Sequence, residues 1–402
     1  MTKYPKTPFT DIANLIRGVS YDKNVASATA KDGYIPILRA NNIQKNLVLN
    51  DLVYVPNDFV KEEQMIRKGD VILAMSSGSK DLVGKSAQAN TDINAAFGTF
   101  CGLIRAKEGI DSRYLGMYFQ TQEYRNFVSY QSKGVNICNL KKKDIETLQI
   151  PLPPLPTQHT IVSRIESLFA ELDKAVEHLR TAQQQLKTYR QAVLKKAFEE
   201  CDSYEKITNC FDVTGGLTKN SQREKFPIKR PYLRVANVYY NRLDLSEIKE
   251  IGVQESEIKD KLLKKDDLLF VEGNGSKEQI GRVAVWNGSI ENCLHQNHII
   301  KGRPTGTMLS KFALYYFISD FGREQILKEA SSTSGLYTLS TEKVRNLKVP
   351  SCSLPEQQRI VKEIESRLSQ AETAEARIAE ALQKAEVLRQ SILKKAFCGK
   401  LV

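Results

Sequence analysis

The chain has 402 residues, with 59 Lys and Arg against 47 Asp and Glu, for a formal net charge of +12. At 41% hydrophobic and 26% charged residues it reads as folded protein of two or three domains, and no uncharged apolar run is long enough to span a bilayer. Met1 to Thr10 is polar and proline-containing, without the basic stretch and apolar core of a secretory signal, so a cytoplasmic location is expected.

In chain order, the first 150 residues carry short β-branched or aromatic runs bounded by Gly, Asn, Asp and Ser. Tyr34 to Leu38 and Asp70 to Met75 predict strands, and Arg113 to Phe127 predicts one helix. A proline-rich approach, Ile150 to Pro156, precedes a segment free of Gly and Pro from Thr157 to Glu199. There, positions 161, 165, 168, 172, 175, 179, 182, 186, 189 and 193 step by four and three and hold Ile, Ile, Leu, Leu, Ala, Leu, Ala, Leu, Tyr and Val. An apolar seam every 3.5 residues is the coiled-coil signature. A single helix over those residues is a rod of roughly 65 Å, which needs a partner.

Residues 201 to 350 return to the first style, with strands predicted at Asp267 to Val271 and Arg282 to Trp286 and a helix at Ser310 to Lys328. The seam positions then recur from 360 to 392 as Ile, Ile, Arg, Ala, Ala, Ile, Ala, Ala, Leu and Ile, broken only by Arg367. Pro156 and Pro355 each suit a first helical turn, where the missing N–H costs nothing. The expected interhelix seam comprises Ile161, Ile165, Leu168, Leu172, Leu179 and Leu186 against Ile360, Ile364, Ile378, Leu388 and Ile392.

The two long segments are copies. Leu155 to Phe198 and Leu354 to Phe397 align at an offset of 199 without a gap, with 18 identities in 44 positions. The identities include Leu-Pro-x-Gln at the start and Leu-Lys-Lys-Ala-Phe at the end. Upstream the similarity is weaker but keeps its order: Pro36 to Ile43 echoes Pro231 to Val238, Lys68 to Leu73 echoes Lys265 to Phe270, and Gly78 to Lys85 echoes Gly275 to Arg282. The expected architecture is an α+β chain with an internal repeat, two variable domains alternating with two long coiled-coil helices that are natural partners for each other. Its boundaries fall at 1–150, 151–200, 201–350 and 351–402. The basic excess sits mainly in the variable modules, which suits a polyanion partner and suits a bland basic surface equally.

Catalytic and metal motifs are missing from the sequence. The seven cysteines form no CxxC pair, and only Cys293-Leu-His295-Gln-Asn-His298 groups residues of ligand type, on alternating strand positions that need not converge. No metal site is expected. Gly78 to Ser86 resembles a phosphate-binding loop but has five residues between its glycines where that loop needs four, and the second copy ends Gly281-Arg282-Val283. No glycine-rich dinucleotide fingerprint, no Asn-Pro-Pro-aromatic tetrad for amino methylation and no His-x-Glu deaminase motif occurs. Adjacent acids such as Asp266-Asp267 and Glu62-Glu63 read as solvated.

Two variable domains alternating with two near-identical helical blocks, each opening on Leu-Pro-x-Gln (Leu155 to Gln158; Leu354 to Gln357) and closing on Leu-Lys-Lys-Ala-Phe, resemble the DNA-specificity subunit of type I restriction-modification systems. The resemblance covers essentially the whole chain. It implies two α/β target-recognition domains at 1–150 and 201–350, related by a pseudo-twofold and each reading one half of a gapped double-stranded DNA sequence, joined by two long antiparallel coiled-coil spacer helices that fix the separation of the halves. It implies no catalysis and no cofactor in this chain. Two modification (methyltransferase) subunits would carry S-adenosylmethionine and methylate adenine, and restriction (translocase and nuclease) subunits would use ATP and Mg.

Candidate DNA contacts are the polar loops in which the modules echo each other. These are Arg39, Asn41 and Asn42 with Arg234 and Asn237, then Ser77, Ser79, Lys80 and Lys85 with Asn274, Ser276, Lys277 and Arg282. Asn reads adenine and Arg guanine in the major groove, while Lys mostly holds phosphate. The same repetition also fits shared fold positions, since base-reading residues should differ when the half-sites differ. Lys133-Gly134 and Lys141 to Lys143 suit phosphate contact or plain solvation equally. The rival to DNA reading is a non-enzymatic coiled-coil adaptor that binds protein.

Overall fold

A computed structural model of the chain describes residues 3–77, 82–131, 138–333 and 336–402. It divides into two compact units: Met1–Leu179 with Glu380–Val402, and Arg180–Ala379. Each unit holds one variable module and one end of each long helix.

In the first unit, alternating apolar residues build a four-stranded antiparallel sheet in the order Ala13–Arg17, Cys101–Ala106, Val71–Ala74, Ser86–Gln88. A three-stranded sheet pairs Tyr34–Leu38 antiparallel with Val53–Pro56 and parallel with Ala96–Phe97. The second unit repeats both sheets strand for strand. Its four-stranded order is Phe211–Gly215, Ile299–Pro304, Leu268–Val271, Val283–Val285, and its three-stranded sheet is Lys249–Val253, Ile228–Leu233, Leu294–His295. A backbone repeated to this degree explains the weak upstream echoes in the sequence.

The helix expected at Arg113 to Phe127 is two, Ser112–Tyr118 and Gln122–Gln131, and the one at Ser310 to Lys328 is likewise Ser310–Ile318 and Asp320–Glu329. The reason is a hydroxyl at each break. Thr121 Oγ1 accepts the Tyr124 N–H, and Ser319 Oγ accepts the Gly322 N–H, so each starts a new helix rather than continuing the old one.

The long helices are Leu155–Phe198 and Leu354–Phe397. In the first unit, Ile161 and Ile165 near the start of one share a core with Ile392, Leu393, Ala396 and Phe397 at the end of the other. The second unit joins Val193, Leu194 and Phe198 to Ile360, Ile364 and Leu368 in the same sense, so the helices run antiparallel. Of the expected seam, Ile161, Ile165, Ile360, Ile364, Ile378 and Ile392 are buried, and Leu168, Leu172, Leu179 and Leu186 are half-buried. Leu388 is not part of it, at 50% exposed. Arg389 takes the inward place, its guanidinium 4.2 Å over the Phe169 ring and paired with Asp173. Likewise Leu368 replaces Arg367, and Val176 and Arg190 replace Ala175 and Tyr189. Each shift is local and of one residue, and the expected register returns at Ile378 and Ile392 in one helix and at Leu179 and Val193 in the other.

Two block motifs acquire physical roles. Gln158 and Gln357, each 1% exposed, lock the helix starts to their modules. Gln158 accepts the Asp111 N–H and donates to Pro153 O, while Gln357 accepts the Leu309 N–H and donates to Thr307 O and Cys352 O. The terminal phenylalanines are anchors. Phe198 packs 5.4 Å from both Phe312 and Tyr316, and Phe397 packs 4.9 Å from Tyr114 and 5.5 Å from Tyr118. The end of the chain thus completes the core of the first module, with the Lys3 N–H donating to Cys398 O at 3.2 Å.

Candidate nucleic-acid interface

The loop after Tyr34–Leu38 is built by its own polar side chains. Asn42, 1% exposed, accepts the Arg39 N–H at 2.9 Å and donates to Val48 O and Asn50 O, both at 2.8 Å. Arg39 Nη2 donates to Asp51 O and Oδ2, and Asn41 Nδ2 to Asp51 Oδ2. The second module copies this lock. Asn237, 3% exposed, accepts the Arg234 N–H and donates to Asp244 O and Glu247 O, and Arg234 Nη2 donates to Glu247 O. The Asn42 and Asn237 amides are thus spent inside their own loops. Their amides satisfy buried backbone groups that would otherwise cost about 1–3 kcal/mol each, and Arg39 and Arg234 serve the same loops.

Arg282 belongs to the scaffold as well. It is 7% exposed, lies 4.9 Å over the Tyr239 ring and donates to Val235 O, so it braces one loop on another. Its counterpart Lys85, half-buried, does the same by donating to Gln44 Oε1 at 3.2 Å. Asn41 and Lys277 remain exposed. Ser77 lies on a short strand paired with Cys138–Asn139, and Ser276 donates to Glu278. Ser79, Lys80, Lys133 and Gly134 lie outside the described residues, as does the side chain of Asn274. Lys141 and Lys143 are exposed, and Lys142 pairs with Glu146 at 3.7 Å.

Side chains that the sequence reading passed over gather beside these loops. In the second unit, Lys277 lines a groove of 920 Å³ with Tyr240, Arg242, Arg323 and Leu368. Arg323 stacks 5.1 Å over Tyr240 in that groove, which also carries Glu278 and Glu372, and Arg242 stacks 4.6 Å over Tyr239 beside it. In the first unit the loop holds Lys45, paired with Asp173 at 3.3 Å. The signal for these residues is divergence: Gln44 and Lys45 stand where Tyr239 and Tyr240 stand, on a shared loop.

Asp267, expected to be solvated, is fully buried. It accepts Arg303 Nε and Nη2 at 2.9 and 2.8 Å, and that bonding holds the guanidinium pKa up. Asp70 and Arg105 repeat the pair in the first module. His295 is buried where the first module has Phe97, and burial pushes its imidazole down to about 3. Among the described residues no group of three or more His, Cys, Asp or Glu side chains is placed to hold a metal ion, and no helix is long and apolar enough to cross a membrane.

The family model described as type I restriction modification DNA specificity domain matches residues 3–179 and again 203–383. The chain belongs to that family. It is 34% identical to the EcoKI specificity subunit of Escherichia coli over 98% of this chain and 88% of that protein. It is also 34% identical to the StySPI specificity subunit of Salmonella potsdam over the same shares. Among solved structures, a chain from work on complex assembly and conformational transition of the type I R-M system shares the fold at a TM-score of 0.76 and 18% identity, over 99% of this chain and 98% of that one. The HsdS subunit of Thermoanaerobacter tengcongensis matches at 0.57 and 19%, over 99% and 97%. For a member of the specificity family, a repeated scaffold with divergent loops is the feature that matters, because one fold must present two different surfaces to DNA.

Proposed function

We propose that this chain is the non-catalytic DNA-reading subunit of a type I restriction-modification assembly. Residues 1–150 and 201–350 act as target-recognition domains, each reading one half of a gapped, asymmetric duplex sequence. Residues 151–200 and 351–402 act as spacers that set the distance between the halves and receive two methyltransferase subunits. S-adenosylmethionine belongs to those partners, and ATP and Mg to the restriction subunits. Two modules that address half-sites roughly one helical turn, about 34 Å, apart make that spacing part of the specificity.

The observation that carries this reading is repetition with divergence. Both modules keep the Asn42 and Asn237 loop locks, the Gln158 and Gln357 helix locks and the phenylalanine anchors, while the loop tips differ. Asn41 and Ser77 in one module, and Ser276, Lys277 and Arg242 in the other, supply amide, hydroxyl and cationic contacts, with Arg39, Arg234, Lys85 and Arg282 shaping the loops. Filter binding tests it. The complex with methyltransferase subunits should bind one duplex sequence with an affinity falling roughly 10³-fold or more between 50 and 200 mM salt. Salt-insensitive binding, or methyl transfer by this chain alone, contradicts it.

A further inference from the structure

Each module carries one tight turn whose scaffold is common to both and whose tip is not. In the first it runs Gly98 to Cys101, closed by the Cys101 N–H to Gly98 O at 2.8 Å; in the second it runs Gln296 to Ile299, closed by the Ile299 N–H to Gln296 O at 2.9 Å. Both turns link the last strand of the three-stranded sheet to a strand of the four-stranded sheet. One side is clamped by the Met75 N–H to Phe100 O and the Glu272 N–H to His298 O. The other is clamped by the Val19 N–H to Phe97 O and the Leu217 N–H to His295 O. The fit there is tight enough to require glycine: a Cβ on Gly18 would lie 2.1 Å from Gly98 O, and one on Gly216 2.3 Å from His295 O.

On these matched scaffolds the tips differ in chemistry. Phe100 is 68% exposed, an apolar ring held out on a rigid turn. Its counterpart His298 is exposed, and its Nδ1 donates to Glu272 Oε2 at 2.8 Å, which leaves Nε2 as the ring nitrogen open to another partner. The Phe100 turn adjoins the Ser76–Ser77 strand through the Ser76 N–H to Phe100 O, and Thr99 lines a cleft of 370 Å³ with Arg17 and Lys142. An exposed aromatic one residue along the chain from a cleft that carries two cations matches a nucleic-acid surface better than bare solvent.

We propose that Phe100 and His298 are specificity-determining residues, one for each half-site. Phe100 makes apolar contact with a base, by packing on a thymine methyl or wedging at a base step, and His298 makes a hydrogen bond to a base edge. This rests on the DNA-reading function proposed above. The test maps methylated sites by sequencing, using the assembled complex of this chain with its methyltransferase subunits on a randomised duplex library. Phe100→Ala should reduce discrimination roughly tenfold or more at one or two positions of one half-site and leave the other half unchanged. His298→Ala should do the converse, and Phe100→Leu should keep part of the preference. Both tips are exposed, so the unfolding midpoint should stay at the wild-type value. A uniform loss of rate with unchanged base preference, or variants with wild-type preference throughout, overturns the assignment while leaving the DNA-reading function intact. A wild-type complex with no sequence preference overturns both.

Discussion

Replacing Phe397 with Ala should loosen the module at the opposite end of the sequence. The ring is 2% exposed against Tyr114 and Tyr118, in the same core as Phe9, Ile12 and Ile150. Burying a phenylalanine contributes about 1.5–3 kcal/mol, two aromatic contacts add about 0.5–1.5 kcal/mol each, and the cavity brings a typical Phe→Ala cost to about 3–5 kcal/mol. At about 1.4 kcal/mol per factor of ten, opening of the first module becomes more than roughly 100-fold more frequent. Hydrogen exchange read by mass spectrometry locates the effect: peptides over 112–131 should lose protection, and those over 310–329 should keep it. Phe198→Ala should give the mirror result through Phe312 and Tyr316. Loss of protection in 310–329 on Phe397→Ala, or none anywhere, would refute the assignment of the chain's end to the first module.

Three further outcomes are expected. Asp267→Ala leaves the Arg303 guanidinium without its buried carboxylate and should cost about 3–5 kcal/mol in urea unfolding; an unchanged midpoint would contradict it. His295 stays neutral when folded, so between its ordinary 6.5 and about 3 the unfolded chain binds a proton that the folded chain does not. Stability should therefore fall as pH drops through that window, by about 2 kcal/mol at pH 5. His295→Phe, which installs the residue that the first module carries at Phe97, should remove that part of the pH dependence, and parallel pH profiles for the two proteins would count against the buried neutral imidazole. Gly18→Ala places a Cβ against Gly98 O and should lower the thermal midpoint, whereas Gly33→Ala, with nothing within 4 Å but a φ of 75°, should cost only the backbone strain of about 1–3 kcal/mol.

The repeat at offset 199 makes the architecture legible, because 18 identities fix both long helices and their order from the sequence alone. The seam is nearly right, and its failure at Leu388 is local, since Ile392 one turn further on is buried where the repeat puts it; the inward place goes to Arg389, which an apolar pattern does not count. The split of each predicted helix in two is visible only as a Thr121 or Ser319 hydroxyl, which an apolar periodicity ignores. Repetition between the modules marks the scaffold first. Residues repeated between modules, such as Asn42 and Asn237, are held in common because the loops need them, and a base reader must differ where the half-sites differ. Tyr239, Lys45, Phe100 and His298 carry that second signal, which needs the two modules in structural register to be seen. Burial of Asp267 is hidden in the sequence because its partner, Arg303, is 36 residues away.

The most direct test of the account is the identity of the methylated bases when this chain is co-expressed with its methyltransferase subunit. The account predicts adenine methylation at one sequence of two unlike halves separated by an unread gap, lost when this chain is omitted. Methylation of a continuous palindrome, or the same pattern without this chain, would contradict it.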